Sequence, residues 1–332
     1  MKKILNSPET AVTDYLEGLS LAFPKFVVFD RENRIVRRSD PRQSPKVGLI
    51  SGGGSGCEPM HSGYVGVGGL DAACPGEIFT SPVPAQIMAA TRFANSGMGV
   101  LYIIKNYGGE VMNFGLSAEI LKREDIQIAK VIVNDDCSFP DGQEDRRRGL
   151  GATILVEKIC GAAAERGDDL KSVTRIGNLV VARSRSFGIS LNSCTTPKLG
   201  RPTFEMPTEK MDLGVGLGGD RGQLQVDVTS ADSIAEVMIE RPCRELELGH
   251  GSEVILFLSG LGSLPPMELF TLSGAIQKRL SAIGIKVTRV LVGELMTSLD
   301  TQGASMTLLK LEDELLELFD APIATQALRW GI

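Results

Sequence analysis

Apolar and polar positions along this chain alternate between two periods, one of helices and one of strands. Apolar residues at Ala11, Val12, Tyr15, Leu16, Leu19 and Leu21 fall on one helical face and predict a helix over 10–22. Two short β-type runs, 26–29 and 35–38, flank the polar stretch 30–34 in the pattern of a hairpin. Continuous apolar runs at 47–51, 99–107 and 128–134 read as buried strands. Helical patterns cover 84–96, the stretch from about 108 to 122, 152–166 and 170–183. The pattern restarts at 187–191. A β-type run at 211–217, a helix at 234–240 and a strand at 253–258 follow, then a helix over 265–283 with proline at its start. Strand patterns at 286–292 and 304–311 and a helix over 312–319 complete the chain. Alternating strands and helices with short connections predict an α/β fold with mixed, mainly parallel sheets covered by helices. The restart places one domain at 1–186 and a second at 187–332.

Composition narrows the function classes. A chain of 332 residues is ample for two domains, and 42% hydrophobic with 23% charged residues suits globular units with sizeable cores. The formal net charge of -6 argues against nucleic acid and anionic membranes as partners. No apolar run approaches the ~20 residues of a spanning helix. The charged N-terminal stretch 1–6 is not followed by an apolar core, so no secretory signal is expected. The six cysteines show no CxxC spacing and there are only two histidines, so no metal site is expected. Scattered thiols without a secretory signal point to a cytoplasmic protein.

Two stretches carry candidate chemistry. In the first, the run at 47–50 empties into Ser51, Gly52, Gly53, Gly54, Ser55 and Gly56, then Cys57, Glu58 and Pro59. Glycines beyond a strand end let backbone N–H groups approach a ligand, as at the carboxyl ends of α/β sheets. A chain reversal that binds nothing would have the same composition. Cys57 has no basic neighbour in sequence, which favours a packed thiol over a nucleophile. In the second, Lys105, Asn106, Gly108, Gly109 and Glu110 lie where a strand hands over to a helix. There Lys105 and Glu110 could orient a phosphoryl acceptor and remove its proton, or form an ordinary surface ion pair at a helix start. The glycines at 214–219 fit GxGxxG, but 223–228 alternates like a strand where a dinucleotide site needs a helix, and GxxxxGK[ST] is absent. No nucleotide site is therefore expected in this chain. Arg146, Arg147 and Arg148 read either as a solvated loop or as a contact for an acidic partner or a phosphate.

Taken together, these motifs closely resemble the substrate-binding subunit of dihydroxyacetone kinase, the DhaK family, over nearly the whole chain. The run 51–56 with Glu58, Pro59, His61, Gly63 and Tyr64 resembles the SGGGSGHEP…H.GY block, and 70–82 resembles LDAACPGEVFTSP. Lys105, Asn106 and Tyr107 with 111–114 resemble KNYTGDVMNF, and 133–136 resembles VNDD; Arg147-Arg148-Gly149, 156–158 and 200–205 are similar as well. The resemblance implies two α/β domains with a small-molecule site between them, usually in a homodimer. It implies MgATP or MgADP on a separate DhaL-type subunit, or a phosphohistidine carrier of the phosphotransferase system as phosphoryl source.

The departures fall on the family's chemistry. Cys57 stands where the family has the histidine of SGGGSGHEP, Glu110 where it has the aspartate base, and Gly108 where it has threonine. Gly218 stands where the histidine of GIHGEPG forms a covalent hemiaminal with the substrate ketone, and Asp220 and Arg221 replace Glu and Pro. Capture of a carbonyl through position 218 is impossible without a side chain. The expectation is a kinase subunit of altered substrate choice, with Glu110 as base. Gly54, Ser55, Gly56, Cys57, Lys105, Asn106 and Gly218 would surround a small polyhydroxy or ketose-like ligand held non-covalently. The alternative is a catalytically silent paralogue that senses a ligand and acts as coactivator with a transcription factor.

Overall fold

The computed structural model describes residues 3–40 and 44–331. The first two residues of the charged N-terminal stretch lie outside them. Along the chain run α1 (Ala11–Ala22), β1 (Val27–Asp30), β2 (Ile35–Arg38), β3 (Gly48–Ser55), β4 (Gly66–Val67), β5 (Ala72–Ile78), α2 (Pro84–Ala94) and β6 (Val100–Lys105). Then come α3 (Gly108–Leu121), β7 (Ile128–Val133), α4 (Ala152–Arg166), α5 (Leu170–Ala182), β8 (Ser184–Ser190), β9 (Lys210–Leu213) and β10 (Leu224–Asp227). The last elements are α6 (Ala231–Glu245), β11 (Glu253–Gly260), α7 (Pro266–Ala282), β12 (Lys286–Gly293), β13 (Gly303–Lys310), α8 (Asp313–Asp320), β14 (Ile323–Thr325) and β15 (Arg329–Trp330).

These elements form two compact units, one of residues 1–133, 153–180 and 313–332, the other of 134–152 and 181–312. The sequence reading draws one cut at 186/187; relative to it, 134–152 and 181–186 belong to the second unit and 313–332 to the first.

In the first unit, strands are ordered β1-β2-β5-β3-β6-β7. Parallel pairing joins β5, β3, β6 and β7, while β1, β2 and β5 pair antiparallel. Both faces of β3 and β6 are covered, which is why Leu49, Ile50, Leu101, Tyr102 and Ile103 form unbroken apolar runs, all fully buried. Ile50, Cys74, Ile87, Tyr102 and Phe114 share one core cluster. The Tyr102 and Phe114 rings meet edge to face at 5.3 Å, and the Tyr102 hydroxyl is satisfied by Thr91 Oγ1 at 2.7 Å. Residues 313–332 contribute α8, β14 and β15 to this unit; β14 pairs with β4. Lys158 on α4 donates to the carbonyls of Ala321 at 2.5 Å and Leu318 at 3.4 Å, satisfying oxygens that the end of α8 leaves open.

In the second unit the order is β10-β9-β8-β13-β11-β12. Only β11 with β12 runs parallel among these pairs; the others are antiparallel. Both sheets are thus mixed, with parallel pairing prevailing in the first unit and antiparallel in the second. Buried Val254, Leu256, Leu258, Met306 and Leu308 pack with Ala235, Met238, Leu272 and Ile276 of α6 and α7. The Asp135 carboxylate accepts from the backbone N–H groups of Leu150 at 2.8 Å and Ala152 at 2.9 Å, so it serves the start of α4.

Candidate functional site

The glycine-rich stretch is not a turn. Strand β3 continues through Gly52, Gly53 and Gly54 to Ser55, and positive φ first appears at Gly56, at 102°. The glycines answer a need for close approach. A Cβ at Gly52 would lie 2.5 Å from the Cys74 carbonyl oxygen, and one at Gly54 would lie 2.6 Å from the Thr80 nitrogen. Ser55 is tied to the same neighbouring chain, its Oγ donating to the Gly76 carbonyl at 2.7 Å. The Gly56 N–H donates to both carboxylate oxygens of Glu58 at 3.0 Å. Burial raises the Glu58 carboxyl pKa, and this N–H and the Lys105 charge pull it back. Cys57, next in line, is buried and forms no disulfide among the described residues.

Gly53 differs, because side chains rather than backbone close over it. A Cβ there would lie 2.8 Å from Lys105 Nζ and 3.3 Å from Glu110 Oε1. Lys105 ends β6 and Glu110 stands in the first turn of α3, so the step from strand to helix brings ammonium and carboxylate over one bare backbone position. The two are only 3% and 6% exposed, so the surface ion pair weighed from the sequence does not describe them. Ser81 Oγ donates to Glu110 Oε2 at 2.5 Å. Gly109 permits that approach, since a Cβ there would sit 2.4 Å from Ser81 Oγ. Asn106 extends the β6–β7 pairing, its N–H donating to the Val133 carbonyl at 2.9 Å. Ser81 was not singled out from the sequence; it lies 29 positions from its partner.

On the same face of the sheet lies a second polar group that sequence reasoning passed over. Residues two apart on a strand point to one side, so Ser51 shares the side of β3 on which Gly53 faces Lys105. His61 Nδ1 stands 3.0 Å from Ser51 Oγ and 2.5 Å from Glu157 Oε1. Ser51 gives its own proton to the Ile103 carbonyl at 2.8 Å. Burial lowers the pKa of His61, against the opposing pull of Glu157. Only the fold could reveal this pair, 96 positions apart in the chain.

The remaining expected residue, Gly218, belongs to the second unit. A Cβ there would meet only Asp220 Oδ2, at 3.2 Å. Its loop is held to 203–205: Thr203 Oγ1 donates to the Gly219 carbonyl at 3.1 Å, Arg221 donates to the Glu205 carbonyl at 3.0 Å, and its guanidinium lies 4.4 Å from the Phe204 ring centroid. No helix follows 214–219; β10 does, as expected. Of the three arginines, Arg147 pairs with Glu245 at 2.9 Å and Arg148 with Asp136 at 2.7 Å, whereas Arg146 remains exposed. Two of the three therefore serve the unit's own packing. No cluster of metal-ligating side chains and no helix long and apolar enough to cross a membrane occurs among the described residues.

Comparison with known proteins places these geometries in context. A family model described as the Dak1 domain matches residues 17–327. The PTS-dependent dihydroxyacetone kinase 1, dihydroxyacetone-binding subunit DhaK, of Listeria innocua is 40% identical over 329 residues, covering 98% of this chain and all of the relative. The PEP-dependent counterpart of Escherichia coli is 37% identical, with 100% of each chain covered. Among solved structures, the dihydroxyacetone kinase operon co-activator DhaQ superposes with a TM-score of 0.88 at 30% identity, over 95% of this chain and 96% of that one.

Proposed function

The chain belongs to the Dak1 domain family, and on that premise we propose that it is the substrate-binding subunit of a dihydroxyacetone-kinase-type phosphotransferase. The observation that carries this reading is the convergence of Lys105 Nζ and Glu110 Oε1 over Gly53. A small polyhydroxy or ketose-like compound held there would present a hydroxyl to Glu110. Glu110 would take the hydroxyl proton as the oxygen attacks phosphorus, while Lys105 offsets negative charge gathering on the acceptor. Ser81 fixes the carboxylate by donating to its other oxygen. With Gly218 bare, the ligand is held without a covalent bond. The phosphoryl group would come from MgATP on a DhaL-type subunit or, where that subunit holds MgADP, from a phosphohistidine carrier that rephosphorylates it. The printed names of the relatives, PTS-dependent and PEP-dependent, support that route. A homodimer and a cytoplasmic setting accompany this reading.

A second reading, a ligand-sensing coactivator working with a transcription factor, has two observations in its favour. The co-activator's structure is similar over 95% of this chain, and Cys57 and Gly218 remove two side chains that the family's kinase chemistry uses. Mixing the protein with a DhaL-type subunit, MgATP and a panel of three- to five-carbon polyols and ketoses separates the two. Turnover of a panel member that disappears in Glu110→Gln supports the kinase; binding without turnover of any member supports the coactivator.

A further inference from the structure

His61 Nε2 is buried and has no hydrogen-bond partner among the described residues, and the same holds for Glu157 Oε2. A buried polar atom left unpaired is costly, so a fold that leaves one on each member of this pair invites a donor from outside. The protonation state of His61 follows from its neighbours. The Ser51 hydroxyl already donates to Ile103, and Glu157 is a carboxylate, so both groups around Nδ1 are acceptors. Nδ1 therefore carries the hydrogen, and in the neutral ring Nε2 is a bare lone pair. The charged groups that act on the ring are Glu157 from α4, Glu110 from α3 and Lys105 from the end of β6. The last two are the pair that closes over Gly53.

We propose that the Glu157–His61 pair is a second anchor of the ligand site, in which Nε2 accepts a hydrogen bond from a hydroxyl other than the one facing Glu110. The inference rests on the reading of the site given under Proposed function. It also defines the ligand class more narrowly. The anchor offers acceptors and no donor, so it selects compounds with at least two hydroxyl groups suitably spaced and discriminates against analogues with an ether or a deoxy carbon at the second position. Such discrimination is strong where a buried acceptor is otherwise left unpaired. Protonation of Nε2 turns the acceptor into a donor, so ligand affinity falls on acidification, below the ordinary range of histidine because burial lowers the His61 pKa.

The test is calorimetric titration of the full chain with dihydroxyacetone, glycerol and erythrulose from pH about 8 down to about 4, which reaches below the ordinary range of histidine titration. His61→Asn keeps a donor for Glu157 and removes Nε2. It is expected to weaken binding of the best probe roughly tenfold or more and to abolish the acid-side loss. Glu157→Gln keeps Nε2 but withdraws the carboxylate that stabilises the imidazolium, so the acid-side midpoint is expected to move to lower pH. A merely structural histidine moves neither quantity. Failure of the wild-type chain to bind any probe would overturn the reading of the site and this inference with it. Binding that persists in His61→Asn with unchanged affinity and pH profile would overturn the inference alone, leaving an internal water as the partner of Nε2.

Discussion

The bare α-carbon of Gly53 faces the ammonium of Lys105, so close that a Cβ there would lie 2.8 Å from Nζ. Gly52, one position earlier, faces backbone instead, the Cys74 carbonyl oxygen at 2.5 Å. The two neighbours thus predict different failures. In Gly53→Ala the flexible end of Lys105 swings aside, so thermal unfolding changes little while ligand affinity drops about tenfold or more, as expected when a positioned charge is displaced. In Gly52→Ala the backbone itself must shift, and overpacking is expected to cost about 1–3 kcal/mol. Paired melting and binding curves for both variants check this; equal loss of stability in both would contradict it.

Glu110 and Ser81 form the next prediction. Glu110→Gln is expected to lower turnover by about 100- to 10,000-fold, the range of a lost general base, with ligand binding largely retained. Ser81→Ala leaves the carboxylate in place and frees one oxygen, so its effect should be smaller, in turnover more than in affinity. Steady-state kinetics on both variants gives the comparison.

Gly218 predicts a gain. Its φ is ordinary, and a Cβ there meets only the movable end of Asp220. Gly218→His is therefore expected to fold. Intact-protein mass spectrometry with dihydroxyacetone should show no adduct on the wild-type chain. A histidine suitably presented at 218 would add one whole ligand mass, because a hemiaminal forms without loss of water. An adduct on the wild-type protein would contradict the non-covalent reading.

Lys158 gives a pH signature. Burial lowers its pKa from 10.5 to about 8, with the Asp320 charge opposing the shift. Between those values the unfolded chain binds more protons than the folded one, so this group adds stability as pH rises from about 8 towards 10.5. Lys158→Met removes the titration, and its stability relative to wild type is expected to decline across that window. Denaturant midpoints for both proteins at pH 8 and pH 10 would show it.

How much of this was legible beforehand depends on range along the chain. Helices α1, α4 and α7 follow from apolar periodicity, and β6 and β11 from unbroken apolar runs, because each signal lies within the element itself. Strand β5 escaped because Ala72–Ile78 contains Pro75, Gly76 and Glu77, residues that argue against a strand in isolation. The glycines at the end of β3 read as lying beyond the strand for the same reason. Its glycines meet the demands of β5 and of Lys105, partners the local sequence does not reveal. Lys105 and Glu110 were legible as a pair because they sit five positions apart at a strand–helix junction, though their burial was not. His61 with Glu157, and residues 313–332 joining the first unit, depend on contacts made only after folding.

The central claim is that Glu110, beside Lys105 over Gly53, takes the proton of a hydroxyl undergoing phosphorylation. The most direct measurement is phosphoryl transfer from MgATP, with a DhaL-type subunit present, to a panel of three- to five-carbon polyols and ketoses, for wild type and Glu110→Gln side by side. The account predicts that the wild-type chain phosphorylates at least one member and that Glu110→Gln binds it but leaves it unphosphorylated. Turnover undiminished in Glu110→Gln, or none by the wild-type chain on any member it binds, would contradict it.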